Sequence, residues 1–594
     1  MPNARSLGEL PAHGALFSHV DGRTHFALWA PQARSVDVVL ASGHSQALNP
    51  EPSGWFRRAL ACGPGTAYVY RIDGEREVPD PASRAQQDDV HGFSLVVDSD
   101  TYPWKHPEWH GRPWHETVLY EVHVGLLGGY AGVQQRLEDL RELGVTAIEL
   151  MPLAQFPGQR NWGYDGVLPF APHNSYGSPD ELRQLIDSAH GLGLMVFVDV
   201  VYNHFGPDGN YLGLYAKDFF RDDLHTPWGG AIDFRQQPVR EFFIENALMW
   251  VNDYRVDGLR FDAVHAISEK DFLVELAQHL RAAVPLERHL HLVLENEDNS
   301  AELLEAGFDA QWNDDGHNTL HVLLTGEQEG YYQDYASEPI HKLARCLHQG
   351  FVYQGEENRH GRARGEPSGH LPPTAFVLFL QNHDQVGNRA FGERLAVLAD
   401  PDALKAATVL LLLSPMIPLL FMGEEWGSRQ AFLFFTDHHE ELGNAVRDGR
   451  RNEFKEFAVF QDAAIRDSIP DPNKAATFNA SLPDYAPDIE PGHQAWRIYY
   501  RKLLELRQQL IVPRLPGSHA GHVQVLGDKA VSASWTLADG SKLRIDINLA
   551  DQAVEAAPLS SAARVIFGNR IDLHAAQQGL RGPYSALAAI EESA

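Results

Sequence analysis

The chain has 594 residues and a formal net charge of −31 at neutral pH, from 49 Lys and Arg against 80 Asp and Glu. That acidity excludes nucleic acid and anionic membrane as partners, because both are bound through basic patches, and it makes an acidic polymer a poor substrate. Hydrophobic residues at 44% and charged residues at 22% are ordinary for a soluble globular protein. A chain this long suits three or four domains whose cores need no disulfide.

Residues 14 to about 100 read as β. Short alternating runs recur at Thr24–Trp29, Ser35–Leu40 and Ala67–Ile72, with turns at Asp21-Gly22 and Asp73-Gly74. Close spacing of short strands predicts a β-sandwich over residues 1–105. Two readings stand for it: a carbohydrate-binding module, or a scaffold packed on the next domain. The two cysteines, Cys62 and Cys346, lie in different predicted domains, so neither a disulfide nor a thiolate metal site is expected.

From Val118 apolar runs alternate with helical patterns. The strands predicted are Val118–Val124, Ala147–Met151, Met195–Val201, Gly258–Asp262, Leu290–Glu295, Phe308–Trp312, Phe376–Gln381 and Pro418–Met422. Helical periods fall at Val133–Leu143, Asp180–Leu192 and Pro238–Tyr254, the second opened by Ser178-Pro179. This is an α/β pattern, and eight such units predict a (β/α)8 TIM barrel with loop insertions over 106–511. A doubly wound open sheet is the alternative, weakened by the lack of a Gly-rich phosphate loop. A long loop is expected from Asn203 to Asp233, and a flap or surface loop from Gln354 to Gly369. A further polar stretch, Asn452–Pro491, precedes the last helix, Gln494–Gln508. From Val512 to Ala594 the chain reads as a small C-terminal β-domain, with strands at Val523–Leu526, Ala530–Trp535, Lys542–Asn548 and Ala563–Phe567. The most apolar run, Val409–Leu413, is too short to span a bilayer, and Met1–Ser6 lacks an apolar signal region, so a cytoplasmic protein is expected.

In a barrel, function gathers where strands end at their C-termini. Four predicted strands end in polar runs: Asp199-Val200-Val201-Tyr202-Asn203-His204, Arg260-Phe261-Asp262-Ala263-Val264-His265, Glu295-Asn296-Glu297 and Asn382-His383-Asp384. Arg260 and Asp262 share one face of their strand, and the cation favours the ionised carboxylate. Three carboxyls, Asp262, Glu295 and Asp384, therefore converge, with Glu297 a rival to Glu295. Paired carboxyls suit glycosidic cleavage, by retention at about 5–5.5 Å separation or inversion at about 6.5–9.5 Å. No Cys is near, the His residues are dispersed, and a Gly-x-Ser-x-Gly elbow is absent, so zinc and serine chemistry are not indicated. Asp199 has a structural reading as a holder of Arg260, while His204 and His383 read as substrate contacts.

These four segments resemble the α-amylase family of glycoside hydrolases (family 13), in family order. The resemblance implies Asp262 as nucleophile, Glu295 as general acid/base and Asp384 as transition-state stabiliser. It places Arg260, His204 and His383 at the −1 sugar, with Asp199 and His265 beside them and Tyr164 as the stacking tyrosine. Tyr120-Glu121-Val122-His123-Val124-Gly125 and Phe26-Ala27-Leu28-Trp29-Ala30-Pro31 resemble two subgroups, glycogen branching enzymes and maltooligosyltrehalose trehalohydrolases. Glu149-Leu150-Met151-Pro152, Phe205-Gly206-Pro207-Asp208-Gly209-Asn210-Tyr211, Thr226-Pro227-Trp228-Gly229 and Phe421-Met422-Gly423-Glu424-Glu425 are similar to the second. Gly316 departs from that subgroup, where an aromatic is expected, and this puts local loop packing in doubt.

The implied reaction is hydrolysis of the α-1,4 bond beside a terminal trehalosyl unit, with a glucan transferase as the alternative. Trp228, Asp314, Glu327 and Glu425 are the candidates for contacts to the leaving trehalose. The partner expected is a malto-oligosaccharide with a trehalosyl end, bound by a monomer or homodimer. Asn203 matches a calcium ligand of many α-amylases, but no oxygen cage can be assembled around it, so no metal or other cofactor is expected.

Overall fold

The computed structural model describes residues 11–226, 229–484 and 491–592, apart from the side chains of Glu456 and Pro491. The N-terminal part holds two antiparallel sheets. One runs Gly14–Ser18, Arg23–Trp29, Trp55–Leu60, Asn49–Pro50; the other is built on Val36–Leu40 and Ala67–Ile72. Phe26 from the first meets Tyr68 from the second edge-on, with ring centroids 5.0 Å apart, and both are buried. These sheets are tied to the next part of the chain. Glu245, on the helix Gln237–Asn252, accepts from the backbone N–H groups of Ala12 and His13 at 2.6 and 3.1 Å, and the Arg84 guanidinium lies 4.3 Å over the Phe170 ring. That attachment favours the scaffold reading of the sandwich.

Eight parallel strands then close a barrel: β1 (Leu119–Val122), β2 (Ala147–Leu150), β3 (Met195–Val200), β4 (Gly258–Phe261), β5 (His291–Leu294), β6 (Ala310–Trp312), β7 (Phe376–Phe379) and β8 (Ile417–Phe421). Leu119 of β1 pairs with Leu419 of β8, which closes the ring and rules out the open sheet. Strand residues alternate between the lumen and the helical layer. Leu119, Met195, Phe197, Val293, Trp312, Phe379 and Leu419 pack together in one buried cluster, a solid core under the mouth. Seven of the eight strands are shorter than their apolar runs predict, and β8 keeps its length one residue earlier. Asp262 and Glu295 fall just past the paired ladder, although their N–H groups still bond to Val200 and Phe261 carbonyls at 3.0 and 2.9 Å.

Among the connections, the helix at Pro179–Gly191 starts as predicted, with a reciprocal capping box between Ser178 and Glu181. The helix expected at Val133–Leu143 is two, Gly129–Gln134 and Leu137–Leu143; Arg136 N–H closes back on Val133, a tighter turn that ends the first. The long stretch after β3 is not a plain loop. It folds into the short helix Leu212–Tyr215 and an antiparallel pair, Phe220–Thr226 with Gly229–Ile232. The Gln354–Gly369 stretch is a strap held to the barrel mouth, with Arg364 buried beneath it. The C-terminal sheet runs His519–Gly527, Ala530–Thr536, Lys542–Asn548, Ser585–Glu591, Ala563–Asn569. Ser585–Glu591 escapes sequence reading because six of its seven residues are buried and its alanines carry no alternation. No described helix is long and apolar enough to cross a membrane.

Gly258 opens β4, the strand that carries Arg260 towards Asp262. A Cβ there would sit 2.1 Å from the Phe197 ring in the barrel core. Gly258→Ala is expected to overpack the β3–β4 contact and destabilise the protein by about 1–3 kcal/mol, read as a lower midpoint in thermal unfolding.

Candidate active site

Arg260 is fully buried and organises the mouth of the barrel. Its Nη1 donates to Asp199 Oδ2 and to Asp262 Oδ1, both at 2.8 Å, and its Nη2 lies 3.8 Å from Glu295 Oε2. The Trp312 ring of β6 closes its open face at 4.2 Å. One guanidinium thus touches carboxylates from β3, from the end of β4 and from the end of β5. Asp262 is held further by Asn203, whose side-chain amide donates to its Oδ2 at 2.8 Å and its backbone carbonyl at 3.0 Å. The residue after it, Ala263, adopts the left-handed conformation with φ of 42°, uncommon for a residue with a Cβ. That twist aims the Ala263 N–H at Glu295 Oε2, 2.5 Å away.

The two carboxyls are pushed in opposite directions. Burial raises the pKa of Asp262, but Arg260, His204 and the Asn203 amide outweigh it and hold it below the usual aspartate range. Burial also raises Glu295; Arg260 and His265 oppose it, Asp262 and Asp384 add to it, and the result lies above the usual glutamate range. Two titratable groups driven apart in this way have the charge states of a nucleophile and an acid. Asp199, between Arg260 and the Tyr164 hydroxyl (2.6 Å), is raised to about 7, by burial first and then by Asp262, against the pull of Arg260.

His383 begins a short helix after β7. Its ring stacks on Tyr164 with centroids 5.0 Å apart, and its Nε2 lies 3.5 Å from Asp384 Oδ1. Asp314 lies within electrostatic reach of Glu295 and Asp384; burial, then Glu295, drive its pKa well above the usual value. Its neighbour Asp315 is the anchor of the strap. Asp315 accepts from the Val352 and Tyr353 N–H groups at 2.7 and 3.0 Å and from Arg364 at 3.2 Å, while Arg364 also donates to the Glu297 carbonyl at 2.6 Å. At Gly316 a Cβ would sit 2.7 Å from Leu378 and 3.2 Å from Cys346, so the site where an aromatic is expected has no room for one.

The structure thus brings together Tyr164, Asp199, Arg260, Asp262, Glu295, Asp314, His383 and Asp384. Three other predicted contacts are occupied differently. His204 places Nε2 at 2.8 Å from the Tyr164 carbonyl and Nδ1 at 2.5 Å from Asn203 Oδ1, so it is a strut between two site residues. His265 accepts the Glu297 N–H at 3.2 Å on the rim. Glu327 is gripped by both Arg389 nitrogens at 2.7 and 2.9 Å and by His321 at 2.7 Å; these outweigh its partial burial and bring it down to about 2.

Glu425 is a correction. It lies behind the barrel wall, buried, and accepts the Tyr120 hydroxyl at 2.8 Å; Tyr120 alternates outward from Leu119, so this carboxyl faces the helical layer and not the mouth. Trp228 lies outside the described residues. Sequence reading gave no task to Glu121, Glu149 or Trp312, although the first two stand in the family-like segments Tyr120–Gly125 and Glu149–Pro152. Their signal was a lone carboxyl or tryptophan within a short apolar barrel strand. Among the described residues, the one grouping of His and carboxylate atoms close enough to hold a cation is His19, Asp98 and Asp100. It belongs to the N-terminal sheets, and exposed acidic clusters are common without an ion. Asn203, the calcium-ligand match, turns its amide to Asp262.

Carboxyls biased to opposite charge states at the C-terminal ends of a closed parallel barrel are what acid-assisted glycosidic cleavage requires, and they define a glycoside hydrolase of the α-amylase class. The family model "Alpha amylase, catalytic domain" matches residues 97–223, and "Domain of unknown function (DUF3459)" matches 518–588. A malto-oligosyltrehalose trehalohydrolase of Deinococcus radiodurans is 42% identical over 82% of this chain and 81% of its own. A crystal structure of an α-amylase candidate from Salmonella typhimurium superposes with a TM-score of 0.91 at 40% identity, covering 98% of this chain and 100% of that one. A 1,4-α-glucan branching enzyme of Jannaschia sp. is 31% identical over only 55% of this chain and 49% of its own. The chain belongs to the malto-oligosyltrehalose trehalohydrolase family.

Because the neutral Asn203 amide touches Asp262 directly, a charge placed at this position would act on the acid side of the site. Asn203→Asp places a second carboxyl beside Asp262 and is expected to raise the Asp262 pKa by about 1–3 units. A group with a depressed pKa works only above that pKa, so the acid limb of the kcat/KM profile should move to higher pH by a similar amount.

Proposed function

We propose that this protein hydrolyses the α-1,4-glucosidic bond next to the terminal trehalosyl unit of maltooligosyltrehalose and releases trehalose, by a retaining double displacement. The observation that carries the chemistry is the opposed bias of Asp262 and Glu295 around one guanidinium. Glu295, held above the usual glutamate range by burial, gives its proton to the leaving glycosidic oxygen. Asp262, kept ionised by Arg260, attacks C1 and forms a glycosyl ester. Glu295, now the base, takes a proton from water, and the water oxygen displaces Asp262 with a second inversion. Contact of both carboxyls with the same guanidinium supports the shorter separation that retention needs.

Asp384 meets the sugar hydroxyls as positive charge develops on the ring, and its bonds strengthen in the transition state. Tyr164, backed by His383, supplies the stacking face of the −1 subsite. Asp314, whose pKa burial and the Glu295 charge raise, is a contact for the leaving trehalose. The specificity for a trehalosyl end rests on the family, whose members match most of the chain, whereas the branching enzyme matches about half. We take residues 1–105, 106–511 and 512–594 as sandwich, catalytic barrel and C-terminal β-domain, in a cytoplasmic enzyme.

Incubation with maltotriosyltrehalose should yield trehalose and maltotriose, with the new reducing end first seen as the α-anomer by proton NMR. Glu295→Gln should lower kcat by about 10²–10⁴-fold. New α-1,6 branches from a long glucan, without trehalose release, would establish the transferase instead. Unchanged turnover in the variant would remove Glu295 from the mechanism.

A further inference from the structure

Inside the barrel, directly below the mouth, lie two carboxyls for which neither the sequence motifs nor the mechanism above gives a task. Glu121 on β1 and Glu149 on β2 are register partners on adjacent parallel strands, and both are buried. Glu149 has no hydrogen-bond partner among the described residues, and burial, then the charge of Glu121, push its pKa well above the usual value. Of the pair, Glu121 is the one with hydrogen-bond partners. Glu121 grips the start of the helix after β7 with both oxygens. Oε1 is 2.5 Å from His383 Nδ1, and Oε2 accepts the His383 backbone N–H at 2.9 Å.

The other ring nitrogen, Nε2, faces Asp384 Oδ1 at 3.5 Å. Nδ1 is bonded to a carboxylate, whereas Nε2 makes no hydrogen bond among the described residues and lies at ion-pair distance from Asp384; a carboxylate beside each nitrogen favours a proton on both. Tyr164 covers the ring face at 5.0 Å, Trp162 meets it edge-on at 5.6 Å, and only 1% of the residue is exposed, so water does not compete for either nitrogen.

We propose that Glu121 is a positioning residue that keeps His383 doubly protonated at neutral pH, so that the −1 subsite carries a fixed imidazolium next to Asp384. The cation orients the Asp384 carboxyl and offers Nε2–H to the sugar hydroxyls that this carboxyl meets. The titratable and charged groups around the ring are Glu121, Asp384, Tyr164, Glu149, Asp199, Arg260 and His123. Burial alone would push His383 down, and Arg260 works in the same direction. Glu121 and then Asp384 reverse this and lift it to about 9. The proposal rests on the −1 subsite as read above, but its direct test needs no substrate.

That test is a pH titration of the ring by NMR, on full-length protein labelled at histidine, with the His383 signal assigned by its loss in His383→Gln. Wild type should show an imidazolium pattern up to about pH 9. Titration of the wild-type ring at or below its ordinary value of about 6.5 would overturn the proposal without any variant. Glu121→Gln keeps the side-chain size and one acceptor but removes the charge. In it the ring should titrate near or below about 6.5.

The activity readout is the pH dependence of the loss. A missing proton can be resupplied by acid, so Glu121→Gln should lose about ten-fold in kcat at pH 8 and recover most of it near pH 5, with KM changed less than kcat. A loss of equal size at both pH values, or an imidazolium that persists in Glu121→Gln, would overturn the assignment. Glu121→Asp retains the charge and should keep the imidazolium signature even where the shorter side chain lowers kcat. Failure to release trehalose with an intact imidazolium would count against the substrate, not against the role of Glu121.

Discussion

A guanidinium sealed inside a protein must be paid for by carboxylates that reach it, and Arg260 sets that demand at the centre of this barrel. Removing one partner from a buried ion pair costs several kcal/mol, because the remaining charge stays behind without solvent. Arg260 takes Asp199 from β3 and Asp262 from its own strand, touches Glu295 from β5, and lies under Trp312 from β6. Strand register, the left-handed turn at Ala263 and the placement of Asn203 all serve that convergence. The same cation that satisfies the fold also lowers the pKa of Asp262, so stability and the low pKa of that carboxyl arise from one interaction.

The site alternates in charge with depth. At the mouth, Asp262 is held low while Glu295 and Asp314 are held high. Beneath them lie Arg260 and His383, both raised by neighbouring carboxylates against their burial. Deeper still are Glu121, bound to His383, and Glu149, pushed up by burial and its neighbour. In a buried cluster, no two adjacent like charges can both persist cheaply, so the protonation states are set jointly. An enzyme that needs one acid and one base among several carboxyls obtains both from such a stack.

The Asp315–Arg364–Tyr335 network performs a matching task at the rim. It fixes residues 352–353, just before the strap, and Arg364 within it beside the turn after β5, and with them the position of Asp314 at the start of its helix. Glu327 and Arg389 clamp the opposite side, linking the segment after the β6 helix to the one after β7. The loops at the rim are therefore tied to each other and to the barrel, which favours a preformed cleft.

The amino-acid sequence by itself determined the eight strands, their order and the polar residues at four of their ends, because an apolar run followed by Asp, Asn, His or Glu keeps its meaning without three-dimensional context. It also determined the family, through motifs carried on those ends. It did not determine which way a residue beyond a strand end turns. Glu425 follows β8 as Glu295 follows β5, yet one faces the helical layer and the other the mouth, and only the path of the chain after Phe421 decides between them. Nor could it show that Glu121 and Glu149 share a floor beneath His383. That is a consequence of strand pairing across the closed barrel, where residues far apart in sequence are brought into contact by register alone. Which carboxyl holds a proton, finally, is fixed by burial and by the distance to Arg260, and neither exists until the barrel closes.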